Sequence, residues 1–197
     1  MIKKILLLLF LLYNMTLSAF AGNQQYELLK AETQQLMSQS IADTPPTISS
    51  FSSKSEELFW IQSMKKHLNR FSRNVDDQDI LLKTVHYEAT RAGLDPILVL
   101  GLIQVESGFK KYAFSSVGAR GYMQVMPFWV DLIGKKDHNL FYLRTNLRYG
   151  CTILRHYLDK EKGNMFRALG RYNGSLGKAE YPNAIFAAET QFRKELK

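Results

Sequence analysis

Apolar residues recur at spacings of three and four along most of the chain, and clear alternation of apolar and polar positions is absent. Leu58, Ile61, Met64 and Leu68 define one helical face, and a second helix is predicted to open near Asp76 or Asp77 and to stop at Gly93. Asp95-Pro96 is a start signal: the aspartate side chain can accept from the first free backbone N–H groups, and proline has no N–H to leave unpaired. Gly108 is the matching stop. Further helices are expected over 122–133, 140–162 and 164–172, with a last one opening near Pro182. The pattern predicts a mostly α fold, a single helical domain over residues 56–197 with one or two long connecting loops.

The region ahead of that domain reads differently. Residues 22–42 are polar and Gln-rich, with only a weak helical pattern from Leu28, Leu29, Leu36 and Met37, and no function follows from them. Residues 43–55, serine-rich and carrying Pro45 and Pro46, suit a flexible connector, so 22–55 is an N-terminal extension and linker. Residues 1–21 have the make-up of a signal peptide: Lys3 and Lys4, the apolar run Ile5 to Leu12, and Ala19-Phe20-Ala21 as a small-residue cleavage site. An uncleaved anchor is the rival reading, but the apolar stretch is short and is interrupted by Asn14, Thr16 and Ser18. The expectation is an exported protein with no stable membrane span after cleavage. With no lipid-accepting cysteine near the cleavage site, a periplasmic home is expected, and full secretion fits as well.

Charge narrows the setting. The chain carries a net charge of +8, and without Lys3 and Lys4 its 24 basic and 18 acidic residues leave +6. Such a surface favours polyanions, and export points to anionic headgroups or the cell wall rather than nucleic acid. Cys151 is the sole cysteine, so no intramolecular disulfide can form, and its spacing from Leu147, Leu154 and Leu158 predicts burial. The four histidines, His67, His86, His138 and His156, show no spacing that places two metal ligands on one helix face, and neither metal nor cofactor is expected.

One residue breaks the pattern. In the stretch Ile97 to Val105, seven of nine residues are large and apolar, which predicts a helix enclosed by protein on nearly every side. That helix ends in Glu106. Desolvation and the negative end of the helix macrodipole both disfavour a charged carboxylate there, so Glu106 is expected to hold its proton and to act as a general acid. The alternative is a glutamate that reaches solvent or pairs with Lys110 or Lys111.

Residues 106–127, ESGFKKYAFSSVGARGYMQVMP, carry Glu106-Ser107, then Ser115 with Val117-Gly118-Ala119, then Gly121-Tyr122-Met123-Gln124, then Met126-Pro127. Asn146-Leu147 with Gly150 and Tyr172-Asn173 follow. In this order the motifs resemble the signature of the soluble-type (SLT-domain) lytic transglycosylases, over about residues 80–185. Tyr122, Arg120 and Arg171 depart from the family pattern, the first and third with consequences for groove shape and charge.

The resemblance implies a lysozyme-like fold and cleavage of the MurNAc-GlcNAc β-1,4 bond of peptidoglycan, with formation of 1,6-anhydroMurNAc ends. Glu106 would protonate the bridging oxygen and then act as base toward the C6 hydroxyl of the same muramyl residue. Ser115 and Gln124 would hydrogen-bond the sugar, Met126 would line the groove, Tyr172 would aim its hydroxyl at Glu106, and Asn173 would hold that loop. Asp131 and Glu88 are the remaining candidates for a second carboxylate; solvent exposure is the preferred reading for Asp131 and a salt bridge, for example with Arg91, for Glu88. A hydrolysing muramidase and a non-catalytic peptidoglycan-binding module are the competing readings.

Overall fold

A computed structural model describes residues 24–42, 50–71 and 75–197, with only the backbone for 75–77; the expected signal peptide lies outside these residues. The described chain forms eight helices: α1 (Ala31–Ala42), α2 (Lys54–Leu68), α3 (Val75–Arg91), α4 (Pro96–Ser107), α5 (Phe128–Ile133), α6 (Leu143–Lys160), α7 (Met165–Asn173) and α8 (Glu180–Lys194). Among the described residues, extended pairing is limited to the isolated bridges Phe114–Arg120 and Arg120–Val125. The fold is thus mostly α, a helical domain of the lysozyme-like kind expected.

The α4 helix is the axis of the molecule. Asp95 caps it, Oδ1 accepting from the Ile97 N–H at 2.8 Å, and Gly108 ends it in the left-handed region at φ 56°. Every residue from Ile97 to Ile103 is buried. Its most extensive neighbour is α8, and the approach requires Gly101: a Cβ there would lie 2.8 Å from the Glu189 backbone nitrogen and 3.0 Å from the Ile185 carbonyl oxygen. Around this pair, α6 packs on α3, α7 and α1, while α2 leans on α3. Met37 and Ile41 of α1, from the segment read as an extension, join the same core.

The structure departs from the sequence expectation in two places. The helix expected over 122–133 is present only from Phe128; residues 121–127 form a tight loop instead, with Gly121 at φ 73° and Gln124 at φ 47°. The apolar spacing there reflects Tyr122, Met123 and Val125 turned inward from a loop, which a helical period cannot distinguish from a helix. Glu88 forms the expected salt bridge, but chiefly with Arg148 of α6; Arg144 is 3.4 Å away and Arg91 4.0 Å. Asp131 is exposed and Cys151 is buried, burial pushing its thiol pKa up.

Three histidines set a pH response. His67 is enclosed by Phe192 and Gln104, His86 stacks on Phe51 beside Trp60, and His156 lies against Tyr157. Burial holds all three below the ordinary value of 6.5. The unfolded chain therefore binds protons that the folded chain refuses, so this contribution is complete above pH 6.5 and is lost as the pH falls below it. The thermal midpoint is expected to drop between pH 7 and pH 5, and a His67→Gln variant to show a shallower drop. Equal slopes would remove His67 from the account.

Candidate active site

Glu106 stands in the last turn of α4 and is 4 % exposed. Its Oε1 accepts from the Tyr181 hydroxyl at 2.5 Å. Tyr181 lies in the first turn of α8 and is 1 % exposed; burial first, and then the charge of Glu106, hold its phenol well above the ordinary value. It is therefore a fixed donor to the carboxyl. The crossing of α4 and α8 at Gly101 belongs to the helix pair that also joins Glu106 to Tyr181.

Tyr172 does not donate to Glu106 as the resemblance implied. Its hydroxyl donates to the Met123 carbonyl oxygen at 2.7 Å. The phenol is wholly buried, and Glu106 adds to the upward push of burial on its pKa, which puts it within electrostatic reach of the carboxyl. Tyr172 thus braces the loop beside Glu106, and Tyr181 takes the contact assigned to it. Tyr181 lies outside the motifs of residues 106–127, 146–150 and 172–173; its one sequence signal is a place just ahead of Pro182, where the sequence predicts the last helix to open.

Residues 113–127 form a self-bonded loop. Ser115 Oγ accepts from the Ala119 N–H at 3.0 Å and the serine is half-buried, so its own hydroxyl proton remains available. Gln124 is 1 % exposed, and its amide nitrogen donates to Gly121 O at 2.9 Å and Ala113 O at 3.2 Å. Those N–H groups tie the loop, leaving the carbonyl end as the group to consider for a sugar. Met126 is half-buried and packs on the core. Asn173 is buried at the end of α7, where Gly174 turns the chain at φ 76°.

Side chains from outside the loop hold its backbone. Asn146, at 0 % exposure, accepts from Met123 N through Oδ1 and donates through Nδ2 to Arg120 O and Leu140 O, each at 2.8 Å. Gly150, one turn on, is bare because a Cβ would sit 2.3 Å from Met123 Sδ. The Asn-Leu-x-x-Gly pattern is therefore a clamp for Met123. Of the departures, Arg120 lies over the Phe141 ring at 6.0 Å, and Arg171 pairs with Glu161 and, at 3.4 Å, with Glu27 of the N-terminal segment.

Comparison with known proteins decides the family. The transglycosylase SLT domain matches residues 83–191, more than half of the chain. The chain belongs to that family. It is 33 % identical over 99 residues to a transglycosylase of Enterobacteria phage PRD1, covering 50 % of this chain and 36 % of that one. It is 39 % identical over 67 residues to a membrane-bound lytic murein transglycosylase C of Mannheimia succiniciproducens, covering 34 % and 17 %, and 34 % identical over 112 residues to the protein of that name in Histophilus somni, covering 49 % and 31 %. The chain thus spans little more than a third of the length of these relatives, or less.

The SLT family member has one further testable feature at this site. Tyr181→Phe removes the donor that favours the ionised carboxyl, so the alkaline limb of its pH–activity profile should move to higher pH. Turnover at the optimum should fall about tenfold as the carboxyl loses its orientation. A profile superimposable on that of the unaltered protein would show that the hydroxyl does not act on Glu106.

Proposed function

We propose that this chain is a peptidoglycan lytic transglycosylase, cutting the MurNAc-GlcNAc β-1,4 bond without water and leaving 1,6-anhydroMurNAc ends. The observation that carries this is the distribution of buried acid. Among the described residues the buried carboxyl groups are Glu88 and Glu106, and Glu88 is enclosed by arginines. A hydrolase of the usual kind needs a second carboxylate to activate water or attack the sugar. A single carboxyl suffices when the nucleophile is the C6 hydroxyl of the substrate itself, already tethered to the reacting carbon.

In this reading Glu106, enclosed and hydrogen-bonded by Tyr181, gives its proton to the bridging oxygen as the C1–O bond breaks. The carboxylate then takes the proton of the C6 hydroxyl as that oxygen bonds to C1, which returns Glu106 to its starting state. Ser115, Gln124 and Met126 line the sugar path, while Tyr172 and Asn173 hold it in shape. The relatives named as murein transglycosylases, the net positive charge and the expected signal peptide all favour export to the cell wall, with glycan strands as the partner. None of the described helices is long and apolar enough to cross a membrane.

Mass spectrometry of fragments released from purified sacculi tests the reading. The expected products end in anhydromuramyl rings. Products carrying one added water per cut would replace the transglycosylase with a muramidase, and sacculi that bind the protein without releasing fragments would favour a binding module.

A further inference from the structure

The segment ahead of α1 lies on the site rather than apart from it. Gln24 is 5 % exposed, and its Oε1 accepts from the Met126 N–H at 3.2 Å. Tyr26 meets the Phe128 ring edge-on at 5.7 Å, and Gln34 donates through Nε2 to Leu132 O at 2.7 Å. Glu27 pairs with Lys160 and, at 3.4 Å, with Arg171. Gln24, Tyr26 and, within α1, Gln34 thus touch Met126, Phe128 and Leu132 in turn, while Glu27 reaches α6 and α7. Those contacts pin the strap at discrete points, and farther along a pocket of about 850 Å³ opens between residues 27–40 and α6, lined in part by Leu28, Met37, Thr152 and His156.

The loop 121–127 explains what such pinning can do. It holds a non-glycine residue, Gln124, at φ 47°, a conformation that persists only where surrounding contacts enforce it. Three side chains from outside bond its backbone: Asn146 to Met123 N, Tyr172 to Met123 O, and Gln24 to Met126 N. The first two lie within residues 83–191 matched by the family; the third does not. The Gln24 amide nitrogen is enclosed with no hydrogen-bond partner at ordinary distance. It lies near enough to Tyr172 to oppose part of the upward push on that phenol. Gln24 thus stands between Met126 and the tyrosine that feels the charge of Glu106.

We propose that Gln24 is a positioning residue of this site: the N-terminal strap completes the frame of the catalytic loop, and Gln24 acts through the Met126 backbone and Tyr172 on the geometry around Glu106. The proposal rests on the transglycosylase reading for its kinetic readout. Gln24→Ala removes the acceptor for Met126 N–H; Gln24→Glu keeps it and, once ionised, places a negative charge beside Tyr172.

The experiment measures turnover of solubilised glycan strands, the thermal midpoint and amide hydrogen exchange for the full chain and both variants. Gln24→Ala is expected to lower kcat about tenfold with KM within about twofold, since misplacement of the reacting groups costs rate more than binding. Gln24→Glu should recover most of kcat and move the alkaline limb of the pH profile upward. Exchange at Met126 should quicken in Gln24→Ala while α4 and α8 keep their protection. If Gln24→Ala turns over like the unaltered protein well below its midpoint, or loses kcat only in step with unfolding, the positioning role is overturned. If the unaltered protein releases no fragments, the transglycosylase reading fails instead, and exchange at Met126 still decides whether Gln24 holds the loop.

Discussion

Glu106→Gln is expected to cut the release of anhydromuramyl fragments from sacculi, with kcat falling about 10²–10⁴-fold, the usual contribution of a positioned general acid. The amide has the size and shape of the carboxyl it replaces, and its oxygen can still accept from Tyr181, so the α4–α8 pair has no reason to separate. What is lost is an acidic proton. A carboxamide can neither protonate the leaving oxygen nor take a proton from the C6 hydroxyl, and in the proposed reaction both half-steps depend on this one side chain. Binding to sacculi should persist, because a neutral polar group still occupies the same place. The measurement is therefore paired: fragment release by mass spectrometry and co-sedimentation with sacculi. Release undiminished in a folded variant would end the assignment of Glu106. Loss of binding together with release would show that the substitution disturbed the groove rather than the chemistry alone.

The helices were legible because their signals are local. Asp95-Pro96 and Gly108 bracket α4 in the sequence as they do in the structure, and an apolar run ending in glutamate is visible without coordinates. The two departures share a cause. Residues 121–127 bury Tyr122, Met123 and Val125 from a loop whose shape depends on Asn146 and Tyr172, far away in sequence, so a local period reads them as helix. The exchange of Tyr172 for Tyr181 at Glu106 is likewise a matter of where α8 crosses α4, fixed by contacts such as Gly101 against Glu189. The strap was illegible for a different reason: Gln24, Tyr26 and Glu27 have no periodic pattern, and their partners lie about 100 or more residues downstream.

Glu88→Ala should cost about 3–5 kcal/mol of stability, more than removal of a surface charge, because it strands cations in the interior. The Glu88 side chain is fully enclosed; its two oxygens accept from Arg148 Nε at 3.2 Å and Nη2 at 3.0 Å, and Arg148 is itself 6 % exposed. Arg148 also reaches Ile41 O, and Arg91 reaches Ser40 O, so the same cluster ties α3 and α6 to the end of α1. Without the carboxylate, the Arg148 guanidinium keeps its buried position with no counter-charge, and Arg91 and Arg144 add repulsion. For a chain of this size the thermal midpoint should fall by about 10 °C or more. Replacing both partners, Glu88→Met with Arg148→Leu, should recover much of the loss, since an apolar pair of similar volume removes the desolvation problem from both sides. Fragment release at a temperature where Glu88→Ala is still folded separates the two roles weighed for this carboxyl. Turnover close to that of the unaltered protein fits a structural ion pair, whereas a collapse of turnover in the folded state would make Glu88 the missing second carboxylate and favour hydrolysis.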